Sequence, residues 1–555
     1  MKKTLYTTTY FRALVLLAMA VVLTGCAVPR TSGPQKDYAL TVLHTNDVHS
    51  SYGGFTSENR ICYAPVCEGG SGGSVRLQRA VRAVRAQKPD AILLDGGDEF
   101  QGTLFWTLHK AAPITEIIDR IGYQAIAPGN HEFDDGVVTF LCYANSIKTP
   151  VVAANLSFDK GLKGAERILP WLVTEIKGRK VGIVGLVTAE TPLVTSNSEG
   201  AKFSDEAAAL KKAVTELTAQ GVDIIIALTH DGFEDDKKLA RTVAGVDIFV
   251  GGHSHSLLSN SIPRAEGKYP TVEKSPEGKP VLVVSAGSAG RYLGKLDVVF
   301  DAAGVPVSWS GEPIPVDDKT LAEMKAPEAD AALAAVIEKY AAPAREKMVS
   351  KLGEIVAPGL DGLPLEKPDV LQCRANDCLT GNIVADALLT IPFKNTQVAL
   401  LNGGALRNSL PGGKVTAGDV LATLPFQNTP VTADVPGSVI LQALEHGVSA
   451  YGDGSGGFLQ TAGLRYAFDD RRPKGQRITK AEVRDANGKW KAVAKAKNYR
   501  VVTIDFLSNG TDGFAVLKPF NWREAQGLMS DAVRVYLEQK SPVSVKPEGR
   551  IMRIK

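Results

Sequence analysis

The sequence has no excess of charge. Its formal balance is +3 over 555 residues, and it falls to zero once Lys2, Lys3 and Arg12 at the N-terminus are set aside. That balance gives the chain as a whole no attraction to nucleic acid or to a membrane surface. Beyond the first 25 residues there is no apolar run long enough to span a bilayer. Compositional bias is absent as well. With 44% hydrophobic and 22% charged residues the chain has ordinary globular usage, which excludes a disordered or fibrous class. Cysteine is scarce, at 6 in the whole chain. Four of them form two close pairs, Cys62 with Cys67 and Cys373 with Cys378, which read as local disulfides of an oxidising compartment. The alternative is one zinc site of all four thiolates, disfavoured because the spacing is wider than a two-residue knuckle and both loops are polar. Cys142, in the apolar helical stretch Val137–Tyr143, reads as a buried free thiol.

What is present begins with a leader. Lys2 and Lys3 precede an apolar run from Ala13 to Leu23, and Leu23-Thr-Gly-Cys26 follows, the layout of a secretory signal. The last four residues resemble a bacterial lipoprotein cleavage site. That resemblance implies a signal peptide over 1–25, a lipidated Cys26 and a polar tether over 26–37. Position 27 is Ala and not Asp, which favours an outer-membrane anchor. The remaining length is too great for one core, so two or more domains are expected.

Between Tyr38 and residue 316 the pattern is apolar strand, polar turn, helix, repeated. Its centre is Ala125-Ile-Ala-Pro-Gly-Asn-His-Glu-Phe-Asp134. There an apolar run breaks at Pro128-Gly129 and is followed at once by Asn130, His131 and Asp134. Four other strand ends repeat the design. Ala39–His44 leads to Asp47 and His49, Asp90–Leu94 to Asp98, Asp223–Leu228 to His230, and Asp247–Val250 to His253 and His255. In α/β sheets ligands bind outside the carboxyl ends of the strands, so five such turns converge on one place. The other three histidines, His44, His109 and His446, read as structural. Val181–Val187 carries glycines but no helix opening, so no dinucleotide fingerprint is present. The helix Ser74–Gln87 carries four arginines on what reads as a solvated face.

Residues 317–352 turn Ala-, Glu- and Lys-rich and read as a helix linking two domains, with a hinge near Lys351 to Gly353. Past Gly353 the mixed pattern returns, and a smaller second domain over 353–555 is expected.

Asp-x-His, Gly-Asp, Gly-Asn-His-Glu-x-Asp, a lone His and Gly-His-x-His, in that order, resemble the dinuclear metallophosphoesterases. From Tyr38 to the end the chain resembles the 5′-nucleotidase family. The fold this implies is α/β: an N-terminal two-sheet sandwich over 38–316, a linker helix and a C-terminal substrate-binding domain. The activity it implies is release of phosphate from nucleoside 5′-monophosphates. Two divalent ions (Zn, Mn, Co or Mg) would clamp the phosphoryl group and acidify a water. Asp47, His49 and His255 would serve one ion, Asn130, His230 and His253 the other, with Asp98 bridging. His255 stands where many nucleotidases carry Gln or Asn. His131, oriented by Asp134, would act on the transferring phosphoryl group or the leaving oxygen. From the second domain the resemblance implies that Arg374 and Arg407 hold phosphate beside Asn402, that Phe426 and Phe506 sandwich the base, and that Asp512 takes the ribose hydroxyls. Alternatives on the same framework are a UDP-sugar or NAD pyrophosphatase and a 2′,3′-cyclic phosphodiesterase/3′-nucleotidase. A non-enzymatic alternative is a surface nucleotide-binding lipoprotein. The expected partners are a nucleotide and, through the lipid on Cys26, a membrane; nothing points to nucleic acid or a protein partner.

Overall fold

The computed structural model describes residues 37–554 except 58–60, 196, 264, 358–362, 366–369, 392, 394, 427 and 525–527. The leader, Cys26 and the tether up to residue 36 thus lie outside the described residues. None of the described helices is long and apolar enough to cross a membrane.

Two sheets face each other in the first half. In order across the first run Pro306–Pro315, Tyr292–Phe300, Tyr38–Thr45, Ile92–Asp95, Ala125–Ile126, Val151–Val152 and Ile168–Leu169. Across the second run Thr271–Lys274, Pro280–Val284, Ile248–Val250, Ile224–His230, Arg179–Val187 and Trp171–Ile176. The inner strands are parallel, so their carboxyl ends share one edge of each sheet. Successive side chains of a strand point to opposite faces. Val42 and Leu94 accordingly enter the core between the sheets, together with Val184, Ile226 and Val250. Leu43 and Leu93 turn outward, to helices that contribute Val81, Phe105 and Ile117.

Three expectations change on contact with the fold. Of the four arginines of Ser74–Gln87 only Arg82 is exposed; the other three turn to protein groups. Arg76 is 1% exposed and holds Asp318 bidentately, at 2.7 and 2.9 Å. Arg79 bonds Pro327 O, and Arg85 bonds Gly122 O and Gln124. Arg76 and Arg79 thus join the helix to the segment after the sandwich, and Arg85 joins it to the turn before Ala125–Ile126; their apolar stems are covered as well. Cys142 is exposed, because it shares the outward stripe of Val137–Ser146 with Val138, while Phe140, Leu141 and Ala144 face inward. The linker, third, comprises two helices, Asp318–Glu323 and Ala331–Val349. The longer one is no free-standing strut: Leu333, Ile337, Ala341 and Ala344 are buried in the outer core of the first half. Past Ser350 the chain enters the strand Lys351–Val356 directly, so the expected hinge residues are strand, with a bulge.

The second half has its own core around Leu400, Val501, Leu444 and Phe458. Its main sheet runs Leu459–Ala462, Val398–Asn402, Asn498–Ile504, Pro430–Pro436 and Arg523–Glu524. Both expected disulfides are formed, Cys62–Cys67 and Cys373–Cys378.

Candidate active site

The strand ends deliver their polar residues through unusual backbone. Asp47, His49, Asp98, His253 and His255 all have positive φ, between 48° and 75°. Such conformations cost non-glycine residues free energy and persist only where the surroundings enforce them. Here the loops enforce one another. The amide of Asp47 donates to Gly97 O and that of His49 to Asp98 O, at 2.8 and 2.9 Å. The amide of His253 donates to the carboxylate of Asp47 at 3.1 Å. At Gly129 a Cβ would lie 2.1 Å from Asp98 Oδ1, so only glycine lets the third loop come this near.

The side chains meet as two groups sharing Asp47. Ligand atoms of Asp47, His49 and His255 lie within 4.8 Å of one another, as do those of Asp47, Asp98 and His230. His49 Nε2 is 3.0 Å from His255 Nε2, and Asp98 Oδ2 is 3.2 Å from His230 Nε2 and 3.8 Å from His49 Nε2. Asn130 Oδ1 and His253 Nδ1 face each other at 2.8 Å. The ring of His253 lies edge-on to His230 at 5.1 Å. Backbone carbonyls hold the far nitrogens: His49 Nδ1 lies 3.0 Å from Phe100 O and His230 Nδ1 2.6 Å from Gly96 O. With Nδ1 so engaged, Nε2 of each ring is the free ligand atom.

The electrostatics ask for a cation. Burial holds His49 and His255 well below the ordinary imidazole range and His253 down to about 4, leaving neutral, ligating rings. His230 goes the other way: burial opposes its charging, yet Asp98 and Asp47 push it up to about 10. Its Nε2 is nonetheless buried without a hydrogen bond of good geometry. Two carboxylates, an amide oxygen and four imidazoles with free nitrogens are a donor set that fits two divalent ions.

His131 stands beside this cluster and does not join it. Its amide donates to Asp98 Oδ1 at 2.9 Å, and its Nδ1 pairs with Asp134 Oδ2 at 2.6 Å. Burial works against a proton on the ring, but Asp134 and Asp98 outweigh it and raise its pKa.

A cleft of about 1990 Å³ opens over these residues and is lined on its other side by the second half of the chain. Arg407 Nη2 reaches within 3.3 Å of His49 Nε2, and its guanidinium lies 5.4 Å from the ring of Phe426. Arg374 donates to Gly454 O at 3.0 Å, and its Nε is buried without a partner. Burial, then Arg407, brings its pKa down to about 10. Asp512 accepts from Asn402 Nδ2 at 3.0 Å, and its carbonyl is held by His446 at 2.6 Å. Phe506 lines the same cleft. No ring contact joins Phe426 and Phe506 among the described residues; Phe426 stacks on His131 at 5.6 Å and 24°.

Two further residues support the site in roles that were not read from the sequence. Glu132 is buried, and its carboxylate accepts from the amides of Asp98, Gly129 and Phe100 at 3.0, 2.5 and 3.0 Å. It ties the Asp98 turn to the Asn130 turn. Asn46 donates to Asp47 Oδ2 at 2.7 Å and to Gly287 O at 2.5 Å. The available signal was position: each is a polar residue next to a candidate site residue, Glu132 to His131 and Asn46 to Asp47, where a loop must be braced.

Residues 40–257 match the calcineurin-like phosphoesterases, and residues 356–519 match the 5′-nucleotidase C-terminal domain. The 5′-nucleotidase of Homo sapiens is 33% identical over 562 residues, covering 97% of this chain and 94% of that protein. The chain belongs to the 5′-nucleotidase family. The snake venom 5′-nucleotidase of Gloydius brevicauda is 31% identical over 543 residues, 93% of this chain and 89% of its own. The crystal structure of the 5′-nucleotidase precursor from Thermus thermophilus superposes with a TM-score of 0.82 at 35% identity, covering 93% of this chain and all of that one. Membership makes the protein a phosphoric monoester hydrolase, and the metallophosphoesterase half belongs to a family that uses divalent metals. The α/β fold expected for the 5′-nucleotidase family is thus the fold found.

Proposed function

We propose that the protein hydrolyses nucleoside 5′-monophosphates to nucleoside and phosphate outside the cytoplasm. The observation that carries this reading is the approach of Arg407 to His49 at 3.3 Å, which joins an anion-binding wall to the metal-competent cluster in one cleft. Two divalent ions there, held by Asp47, His49 and His255 and by Asn130, His230 and His253 with Asp98 between, would supply Lewis acidity to the phosphoryl oxygens and to water. The protein's own groups do the rest. Arg407 and Arg374, both desolvated, draw the phosphate dianion and fix its orientation. The ring of His131, held by Asp134 through Nδ1, presents Nε2 to the leaving ribose oxygen and gives it a proton. Asp512, fixed through Asn402 and His446, accepts from the ribose hydroxyls, and Phe426 and Phe506 offer the base two apolar faces. A signal peptide over 1–25 and a lipid on Cys26 would tether the enzyme to the outer membrane, and two disulfides suit that oxidising side.

The test is phosphate release by chelated enzyme resupplied with single metals, across AMP, 3′-AMP, cyclic AMP isomers, UDP-glucose and NAD. The expected result is no activity without metal and the highest kcat/KM on 5′-monophosphates. A preference for 3′-AMP or for cleavage of UDP-glucose at the pyrophosphate would overturn the assignment. Nucleotide binding with no phosphate release under any metal would overturn it altogether.

A further inference from the structure

Arg374 lies inside the ring closed by the Cys373–Cys378 disulfide. A short disulfide ring restricts its residues but does not aim any one of them. The aim comes from a residue far away in sequence. Gln460 is fully buried on the strand Leu459–Ala462. Its Nε2 donates to Cys373 O at 2.8 Å and to Asn376 O at 2.7 Å, and its Oε1 accepts from the amide of Cys378 at 3.3 Å. Two carbonyls on one side and an amide on the other fix which way round the side-chain amide sits. All three of these bonds end on the backbone flanking Arg374, so they set the loop without competing for the guanidinium. The same segment holds the other end of the arginine: Gly454, six residues before Gln460, accepts from Arg374 Nη1 at 3.0 Å. With both ends fixed, Arg374 Nε is left buried and unpaired on the cleft wall.

We propose that Gln460 is a positioning residue for substrate binding, acting through the Cys373–Cys378 loop to hold Arg374 ready for the phosphate of the nucleotide. This rests on the reading of Arg374 as a phosphate anchor. A preset donor gains affinity because little ordering remains to be done when the ligand arrives. Removing the Gln460 amide leaves Cys373 O and Asn376 O without donors and lets the loop relax, so the guanidinium is no longer presented at one position. Such a change weakens binding of the ground state and the transition state alike, which appears in KM and not in kcat.

The experiment compares Gln460→Met, Arg374→Ala and the double variant, with the metal-loaded full chain, AMP as substrate and inorganic phosphate as competitive inhibitor. Gln460→Met is expected to raise KM and the phosphate Ki together by about tenfold, with kcat within about twofold. On the Arg374→Ala background the same change is expected to add less than about twofold, because the two residues act through one contact. Gln460→Glu, which keeps the side chain's shape but sets a carboxylate against two carbonyls, is expected to behave as Gln460→Met does, and it replaces that variant should the methionine protein not fold. An unchanged KM in the Gln460 variants, with Arg374→Ala impaired, overturns the role of Gln460 alone. Fully multiplicative effects in the double variant overturn it too. If Arg374→Ala leaves KM and Ki unchanged, the phosphate-anchor reading falls and this proposal falls with it.

Discussion

Replacing His131 by alanine separates proton transfer from metal binding. The backbone of His131 stays in place in the variant, because its amide, bonded to Asp98 Oδ1 at 2.9 Å, is untouched. What disappears is an imidazole pinned by Asp134 at 2.6 Å, stacked on Phe426 at 5.6 Å and edge-on to His49 at 5.3 Å. A ring so restricted has little freedom to lose on reaching the transition state, so its loss falls on the chemical step. A positioned acid contributes roughly 10²–10⁴-fold, about 3–5 kcal/mol of barrier. The expected result is a fall of that size in kcat on AMP, with two metals per chain retained by elemental analysis. A substrate with an activated leaving group, such as p-nitrophenyl phosphate, needs no proton and is expected to lose far less. Asp134→Asn refines the same test. His131 is raised by Asp134, so the variant lowers its pKa; if the protonated ring is the working form, the alkaline limb of the kcat profile moves to lower pH. The reasoning is refuted if His131→Ala empties a metal site while the molecules that stay loaded turn over normally. It is also refuted if both substrates lose rate equally.

Asp98→Asn is expected to cut activity by orders of magnitude and to lower metal content; normal turnover with full metal would remove Asp98 from the site. Cys142, the free thiol among the described residues, is expected to react with a maleimide before unfolding, and its failure to react would place it back in the core. Arg76→Met, which removes both guanidinium bonds to Asp318 and the one to Cys67 O, is expected to destabilise the fold by about 2 kcal/mol, read as a lower midpoint in urea with the m-value unchanged. Because one nucleotide must touch both halves of the chain, the cleft is expected to open and close during turnover; this is checked in a Cys142→Ser background by cross-linking one cysteine in Thr191–Val194 to one in Thr511–Gly513, segments that touch across the cleft. Multiple turnovers are expected to stop and to return on reduction, whereas unchanged steady-state rates in cross-linked protein would show that the cleft works without opening.

The sandwich was legible because its inner strands are buried on both faces and so read as unbroken apolar runs. Arg179–Val187 and Ile224–His230 are almost wholly buried, and each apolar run stops where polar residues begin. The site was legible for a related reason: ligand candidates sit where those runs end, and parallel strands end together. The gathering of Asn130 and His253, 123 residues apart, follows from that topology. Three kinds of fact were not legible. Which face of a helix is covered depends on what comes back to it, and Asp318 returns to Arg76 from 242 residues away. A mostly apolar helix such as Val137–Ser146 does not announce which of its residues face out, so Cys142 was misplaced. Residues that act on backbone are the third kind: Gln460 lies in no motif, and Glu132 lies in one that does not reveal its role, because a carbonyl or an amide is the same at every position.

The left-handed backbone at Asp47, His49, Asp98, His253 and His255 has a consequence for how substitutions there are to be read. Each such residue holds about 1–3 kcal/mol of conformational strain. Asparagine tolerates this geometry at least as well as aspartate, whereas alanine gains nothing from it and glycine is released from it altogether. An alanine scan of the cluster therefore sums a lost ligand with an unfavourable backbone. A glycine at His255, whose side chain is 34% exposed, is expected to melt no lower than wild type in the absence of metal while binding metal less well. Resistance to heat and the capacity to hold ions would then move in opposite directions at one residue, as they do when selection acts on the work of a site and lets the chain around it stay under tension.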